Sequence, residues 1–195
     1  GVIYNNDNNK LEYNIAKIDS LEGRYSEAYE RHNKLYGKKT QDQDAIKDKI
    51  YISGGLSETL RKWALDESKK SNFKLAEEKF LKSIEISNES LKIDSTNQFL
   101  IKSNKLAYKN LGQHYFYRGQ MDKAMECFLN STNITELTQF WKEHNNIVYN
   151  NMAKIMLIKK EYQKALNYCK ISQNINNNQY TEDLMKRIKA EMKKQ

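Results

Sequence analysis

An all-α fold follows from three features of the sequence. The 195 residues contain no proline and only seven glycines, whereas a β-rich domain needs turn residues every ~8–12 positions. Hydrophobic residues make up 38% and charged residues 30%, a mixture suited to amphipathic helices joined by short polar connections. Four segments also repeat one shape, a helix, a tight turn and a second helix opening on a packed alanine. They read EGRYSEAYERH, KSNFKLAEEKF, RGQMDKAMECF and KKEYQKALNYC.

Aligned, these segments form three columns. Tyr25, Phe73, Met121 and Tyr162 share the first, Ala28, Ala76, Ala124 and Ala165 the second, and His32, Phe80, Phe128 and Cys169 the third. The alanines let two antiparallel helices approach closely, and the residue one turn later fills the groove beside them. Gly23 and Gly119 fall in the turns, where a left-handed backbone is cheap for glycine. Ser71 and Lys159 or Lys160 take that place in the other two turns, which should therefore differ slightly. Residues 106–128 follow the tetratricopeptide pattern well, with Tyr108, Leu111, Gly112 and Tyr115 on the first helix. Residues 145–172 are a second good copy; those near 11–36 and 57–90 are weaker, with Trp63-Ala64 in place of Leu-Gly. The alanines lie 48, 48 and 41 residues apart, against about 34 in a regular array. The fold class is thus an irregular tetratricopeptide-like solenoid, a right-handed superhelical array of antiparallel helical hairpins.

In chain order, the polar, Asn-rich opening GVIYNNDNNK reads as a loose start. Helices are expected near 10–22 and 25–37, flanking Gly23, then at 42–52 and 56–70 on either side of Gly54-Gly55. That glycine pair marks the clearest break and separates an N-terminal helical piece, 1–54, from the repeats, 55–195. Further helices fall near 73–92, 96–118, 121–133, 136–159 and 162–174. The polar NINNNQYTED leads to a last helix at 179–194, with Thr181 as its N-cap. That helix ends abruptly at Gln195 and reads as the first half of another hairpin, as in a fragment of a longer protein.

The residues for common chemistries are not gathered. There is no nucleotide loop, zinc-protease motif or nucleophile elbow. Cys127 and Cys169 make no disulfide framework and, with His32, His114 and His144, no metal-ligand spacing; small packing cysteines suit a reducing compartment. No catalytic residue, cofactor or metal is expected, and Glu77, Glu78 and Glu136 read as solvated carboxylates. His114 reads as a half-buried packing residue. Phe140-Trp141 could anchor an interface, but packing the lengthened connection between the last two repeats is the stronger reading. The net charge is +8, yet the lysines are spread along helix faces among glutamates, which argues against nucleic acid. With no signal peptide or long apolar run, a cytoplasmic or nuclear location is expected.

Such an array offers a surface lined by the first helices of its hairpins. The partner-binding candidates are Lys109, Gln113, Phe116 and Tyr117, then Asn150, Lys154 and Ile158. Amides, basic groups and aromatics together suit an acidic or mixed peptide. The expected partners are other protein subunits or a peptide segment, rather than nucleic acid, a membrane or a small-molecule substrate.

Residues 106–128, LAYKNLGQHYFYRGQMDKAMECF, also resemble the signature hairpin of one scaffold family. It comprises proteasome-lid regulatory subunit seven and subunit one of the constitutive photomorphogenesis signalosome. Leu111, Gly112, His114, Tyr115, Gly119, Ala124, Cys127 and Phe128 fall on the corresponding positions, while Gln113 stands where an acidic residue is usual. The similarity in layout extends over roughly 57–175. It implies the N-terminal repeat region of a PCI-type subunit, a non-enzymatic scaffold for a complex acting on ubiquitin-family conjugates. A stand-alone tetratricopeptide adaptor or sensor domain binding a peptide of a signalling partner fits the same residues, and a nucleic-acid-associated helical repeat is a third reading.

Overall fold

The computed structural model describes residues 7–37, 43–132 and 138–194. The described residues form helices joined by turns: α1 (Asp7–Leu21), α2 (Tyr25–Tyr36), α3 (Gln43–Lys69), α4 (Phe73–Ile93), α5 (Gln98–Tyr117), α6 (Met121–Thr132), α7 (Gln139–Ile158), α8 (Tyr162–Ile175) and α9 (Gln179–Met192). They pair as the hairpins α1/α2, α3/α4, α5/α6 and α7/α8, each closed by a three-residue turn. The fold is therefore the expected all-α helical repeat. Two compact units make up the chain, dividing between Asn110 and Leu111, within α5.

The alanine column is the axis of every hairpin. Ala28, Ala76, Ala124 and Ala165 are all fully buried. Twelve residues before them stand Ala16, Ala64, Gly112 and Ala153, also buried. Small residues thus face each other across each pair of helices, which is what close approach requires. In the third column His32 is 1% exposed and Phe80, Phe128 and Cys169 are fully buried. A Cβ on Gly112 would lie 2.7 Å from the Phe128 ring, so that ring packs directly on the α5 backbone.

All four turns share one geometry, contrary to the expectation that two should differ. Gly23 (φ 82), Ser71 (φ 65), Gly119 (φ 74) and Lys160 (φ 59) each occupy the left-handed region, two residues before the next helix. The following residue, Arg24, Asn72, Gln120 or Glu161, donates its N–H to the carbonyl five residues back, at 2.8–2.9 Å. Its own carbonyl then accepts from the repeat alanine at 3.0–3.1 Å. These bonds use backbone groups that a helix end would otherwise leave unpaired. Two ladder bonds tolerate a left-handed side chain costing ~1–2 kcal/mol, and so Ser71 and Lys160 adopt the glycine conformation.

The helices expected at 42–52 and 56–70, on either side of Gly54-Gly55, are one continuous α3. The pair serves packing instead. A Cβ on Gly54 would lie 2.4 Å from the Phe99 ring, and one on Gly55 2.9 Å from both Tyr13 and His32 Nε2. Aromatic rings from two sides rest on the bare α3 backbone, which offsets a glycine penalty of ~1 kcal/mol per residue.

Hydroxyls and amides line a further column, seven residues after the alanines. Ser83, Ser131 and Ser172 are fully buried there. In the first unit Ser57 donates to the Ser83 carbonyl at 3.0 Å, and Ser83 donates back to the Ser57 carbonyl at 2.7 Å. Ser103 on α5 lies 2.9 Å from the Ser57 hydroxyl, and Asn104 donates to Ser87 at 2.9 Å. In the second unit Asn146 donates to the Ser172 hydroxyl at 2.7 Å and to the Asn176 carbonyl at 2.8 Å, and accepts from Asn178 at 2.8 Å. The N-cap of α9 is Asn178, not Thr181: its side chain accepts the Thr181 N–H at 2.9 Å. Thr138 caps α7 by accepting from the Trp141 N–H; the start expected for that helix at 136, including Glu136, lies outside the described residues.

Candidate functional site

The seven residues expected on the partner surface meet different fates. In the first unit Lys109 is half-buried. Burial, and secondarily the charge of Arg61, pushes its ammonium down from the ordinary lysine range. Arg61 is itself gripped by Glu58 through two bonds of 2.6 and 2.9 Å.

In the second unit Gln113 and Phe116 are half-buried, while Tyr117 is 82% exposed and Ile158 55% exposed. Phe116 and Tyr117 meet edge to face at 5.7 Å. Tyr117 and Ile158 occupy the same repeat position, the last residue of the first helix in each hairpin. Lys159, next to Ile158, donates to Asp122 in the hairpin before it, which draws the two turns together. Asn150, by contrast, is 3% exposed, and its amide is used inside the unit: it donates to Asn146 at 3.3 Å and to Thr181 at 3.0 Å. Lys154 places its ammonium 5.0 Å from the centre of the Tyr180 ring on α9, a cation–π contact. Asn150 and Lys154 thus serve the α7–α9 seam, whereas Tyr117 and Ile158 are exposed, as are Leu129, Ile147 and Tyr180 elsewhere on the unit.

The histidines, cysteines and aromatic pair take packing positions. His114 is buried and meets Tyr115 edge to face at 5.9 Å. His144 lies 3.2 Å from the Ser131 carbonyl and 5.2 Å from the Trp141 ring. Trp141 is 6% exposed and packs inward, while its neighbour Phe140 stays 39% exposed and meets it edge to face at 4.8 Å. Cys127 and Cys169 are buried thiols outside any disulfide, and burial pushes the Cys169 thiol up to about 11. Among the described residues no three metal-binding side chains come together, and no helix is long and apolar enough to cross a membrane.

One feature of the first unit escaped sequence reasoning, a cavity of about 250 Å³ beside α1, α2 and α3. Its floor is buried: Tyr13 4%, His32 1% and Thr59 1% exposed. His32 Nδ1 lies 3.4 Å from the Thr59 hydroxyl, and the ring meets Tyr13 edge to face at 5.1 Å. Burial pushes the imidazole from its ordinary 6.5 down to about 4, opposed only by a bond to the Ala28 backbone. It is therefore neutral near pH 7. Its Nε2 has no hydrogen-bond partner among the described residues and faces Gly55. The rim combines the half-exposed rings of Tyr51 and Phe99 with Lys17, Lys62 and Glu58. The signal in the sequence was a glycine pair inside an amphipathic run, together with a histidine in a column otherwise filled by Phe, Phe and Cys.

No protein-family model matches the chain, and no curated protein matches it in sequence. Among solved structures it is similar to a TPR repeats protein from Bacteroides fragilis, at 14% identity and a TM-score of 0.42, covering 93% of this chain and 98% of that one. Similar too are the nearly identical TPR-like repeats of a putative kinesin light chain from Podosopora anserina, at 11% identity and a TM-score of 0.44, covering 93% of each chain. A tetratricopeptide repeat protein from Parabacteroides merdae matches at 17% identity and a TM-score of 0.35, over 94% of this chain and 85% of that one.

Proposed function

We propose that the chain is a non-enzymatic protein-interaction module that holds a partner protein on the turn end of its second unit. The observation carrying this reading is the pair Tyr117 and Ile158. Large apolar side chains at one repeat position stay 82% and 55% exposed, on hairpins whose interiors are otherwise fully packed. An exposed aromatic on a rigid helix end loses little conformational freedom on binding and offers much area, the profile of an interface anchor. The surplus of basic residues favours an acidic or mixed partner.

A benzophenone amino acid placed at 117 or 158 tests this. Irradiation in the native cell should cross-link each position to one defined polypeptide, whereas position 126, exposed on α6, should not. Equal labelling at all three positions would refute the reading. The identity of the cross-linked partner separates two narrower functions. Sister PCI subunits would support a signalosome or proteasome-lid scaffold, and a short segment of a signalling protein would support a stand-alone adaptor. The scaffold reading is supported by the hairpin residues quoted above, but Leu111, Gly112, Gly119, Ala124 and Phe128 are all accounted for by packing or turn geometry. His114, Tyr115 and Cys127 are buried packing residues as well.

A further inference from the structure

We infer that the cavity of the first unit is an anchor pocket for an acidic protein segment: one aromatic side chain of the partner enters the cavity, and carboxylates on either side of it meet the rim. This site is separate from the partner surface proposed on the second unit and stands without it.

The open surface of the cavity is apolar. Leu21 on α1 is 69% exposed, and Tyr51 on α3 and Phe99 on α5 are each 43% exposed, so three large side chains around one mouth stay in contact with water. Apolar side chains gathered around a concavity and rimmed by polar residues mark an interaction site. The rings are also set before any partner arrives. Tyr13, 4% exposed, packs against Tyr51 at 4.9 Å between centroids, and Phe99 rests on the bare α3 backbone at Gly54. An incoming ring finds edge and offset contacts there without first ordering the walls.

Size and charge define the occupant. A volume of about 250 Å³ lies below the ~300–1,000 Å³ of sites that enclose a whole drug-sized ligand, and it takes one large side chain. Leu21 and the outer edges of Tyr51 and Phe99 are then covered only by chain running on either side of that anchor. This favours a protein segment over a free small molecule. On the rim, Lys17 of α1 and Lys62 of α3 have no ion pair among the described residues. The one carboxylate among the described lining residues, Glu58, is held by Arg61 through bonds of 2.6 and 2.9 Å. The uncompensated charge is therefore positive and stands on two helices, and acidic residues flanking the anchor complement it.

The probe is the peptide acetyl-Asp-Glu-Trp-Glu-Asp-amide, titrated by calorimetry into the 195-residue chain. Saturable one-to-one binding is expected. Alanine in place of its tryptophan should weaken it about tenfold or more, as for an anchor residue, and amides in place of its carboxylates should weaken it several-fold. Lys17→Glu with Lys62→Glu should abolish binding of this peptide and confer binding of acetyl-Lys-Lys-Trp-Lys-Lys-amide, with thermal melts confirming that the fold is kept. Leu21→Ser, at a side chain largely in solvent, should weaken binding, while Tyr117→Ser should leave it unchanged. The amide resonance of Gly55 should move on binding while that of Gly119 stays. Absence of saturable binding up to about 1 mM would overturn the inference, as would equal affinity for the alanine peptide or indifference to the charge reversal. Indole-3-acetate binding as tightly as the peptide would overturn it in favour of a small acid. An oligothymidylate that displaces the peptide at lower concentration would overturn it in favour of a single-stranded nucleic acid.

Discussion

The four inter-helix turns make one quantitative experiment possible, since they hold two glycines and two side chains in a single backbone conformation. The perturbations are Gly23→Ala, Gly119→Ala, Ser71→Gly and Lys160→Gly. At Gly23 and Gly119 an added Cβ meets nothing within 4 Å, so the backbone alone decides the outcome. A left-handed L residue costs ~1–2 kcal/mol, while replacing glycine lowers the entropy of the unfolded chain and returns ~0.4–1 kcal/mol. Each alanine variant should therefore lose about 0.5–1 kcal/mol. Ser71→Gly and Lys160→Gly should gain a similar amount, since neither side chain makes a hydrogen bond or ion pair among the described residues. For a chain of this size 1 kcal/mol moves Tm by ~2–4 °C. Urea midpoints and thermal melts of the four variants would measure this. A loss of stability in Lys160→Gly, or a gain in Gly119→Ala, would refute the shared turn geometry.

Other consequences are as direct. The unfolded chain protonates His32 near its ordinary 6.5, whereas the folded chain resists until about 4. The unfolded state thus binds more protons in that window. Stability is fully present above pH 6.5 and falls by about 3 kcal/mol towards pH 4; in His32→Phe this acid limb should flatten, as melts against pH would record. Gly54→Ala drives a methyl into the Phe99 ring and should cost ~1–3 kcal/mol despite its better helix propensity; adding Phe99→Ala should recover most of it, a coupling that a double-mutant cycle measures. Asn146→Ala removes a buried amide bonded to Ser172, Asn176 and Asn178 and should cost about 2–3 kcal/mol, with hydrogen exchange in α9 accelerating first.

The helical hairpins were legible because their determinants are local. Alanine at 28, 76, 124 and 165 and a bulkier residue four positions on can be read from spacing, and every one of them is buried. The Gly54-Gly55 pair misled because glycine has two uses, and only the distant rings of Phe99, Tyr13 and His32 reveal which applies. Ser71 and Lys160 hid their conformation because a penalty of ~1–2 kcal/mol is small enough for a repeat to absorb. Ser83, Ser131 and Ser172 keep the 48- and 41-residue spacing of the alanines, yet a hydroxyl column on a polar chain looks like an ordinary solvated face. Of the residues expected on the partner surface, Tyr117 and Ile158 are exposed, whereas Asn150 is claimed by Thr181 and Asn146, residues that periodicity alone does not bring together.

The serine and asparagine seams also bear on how each unit answers to force. Apolar helix faces hold their axial setting through the fit of ridges into grooves, without directional bonds. Reciprocal bonds such as Ser57 to Ser83 and Ser83 to Ser57 hold two helices at one axial setting, as pins hold a hinge. The α3/α4 and α7/α8 hairpins, joined by such bonds, are then stiff to shear along their length yet still able to tilt. A load carried through such a chain would be released hairpin by hairpin, in steps, rather than by gradual slippage.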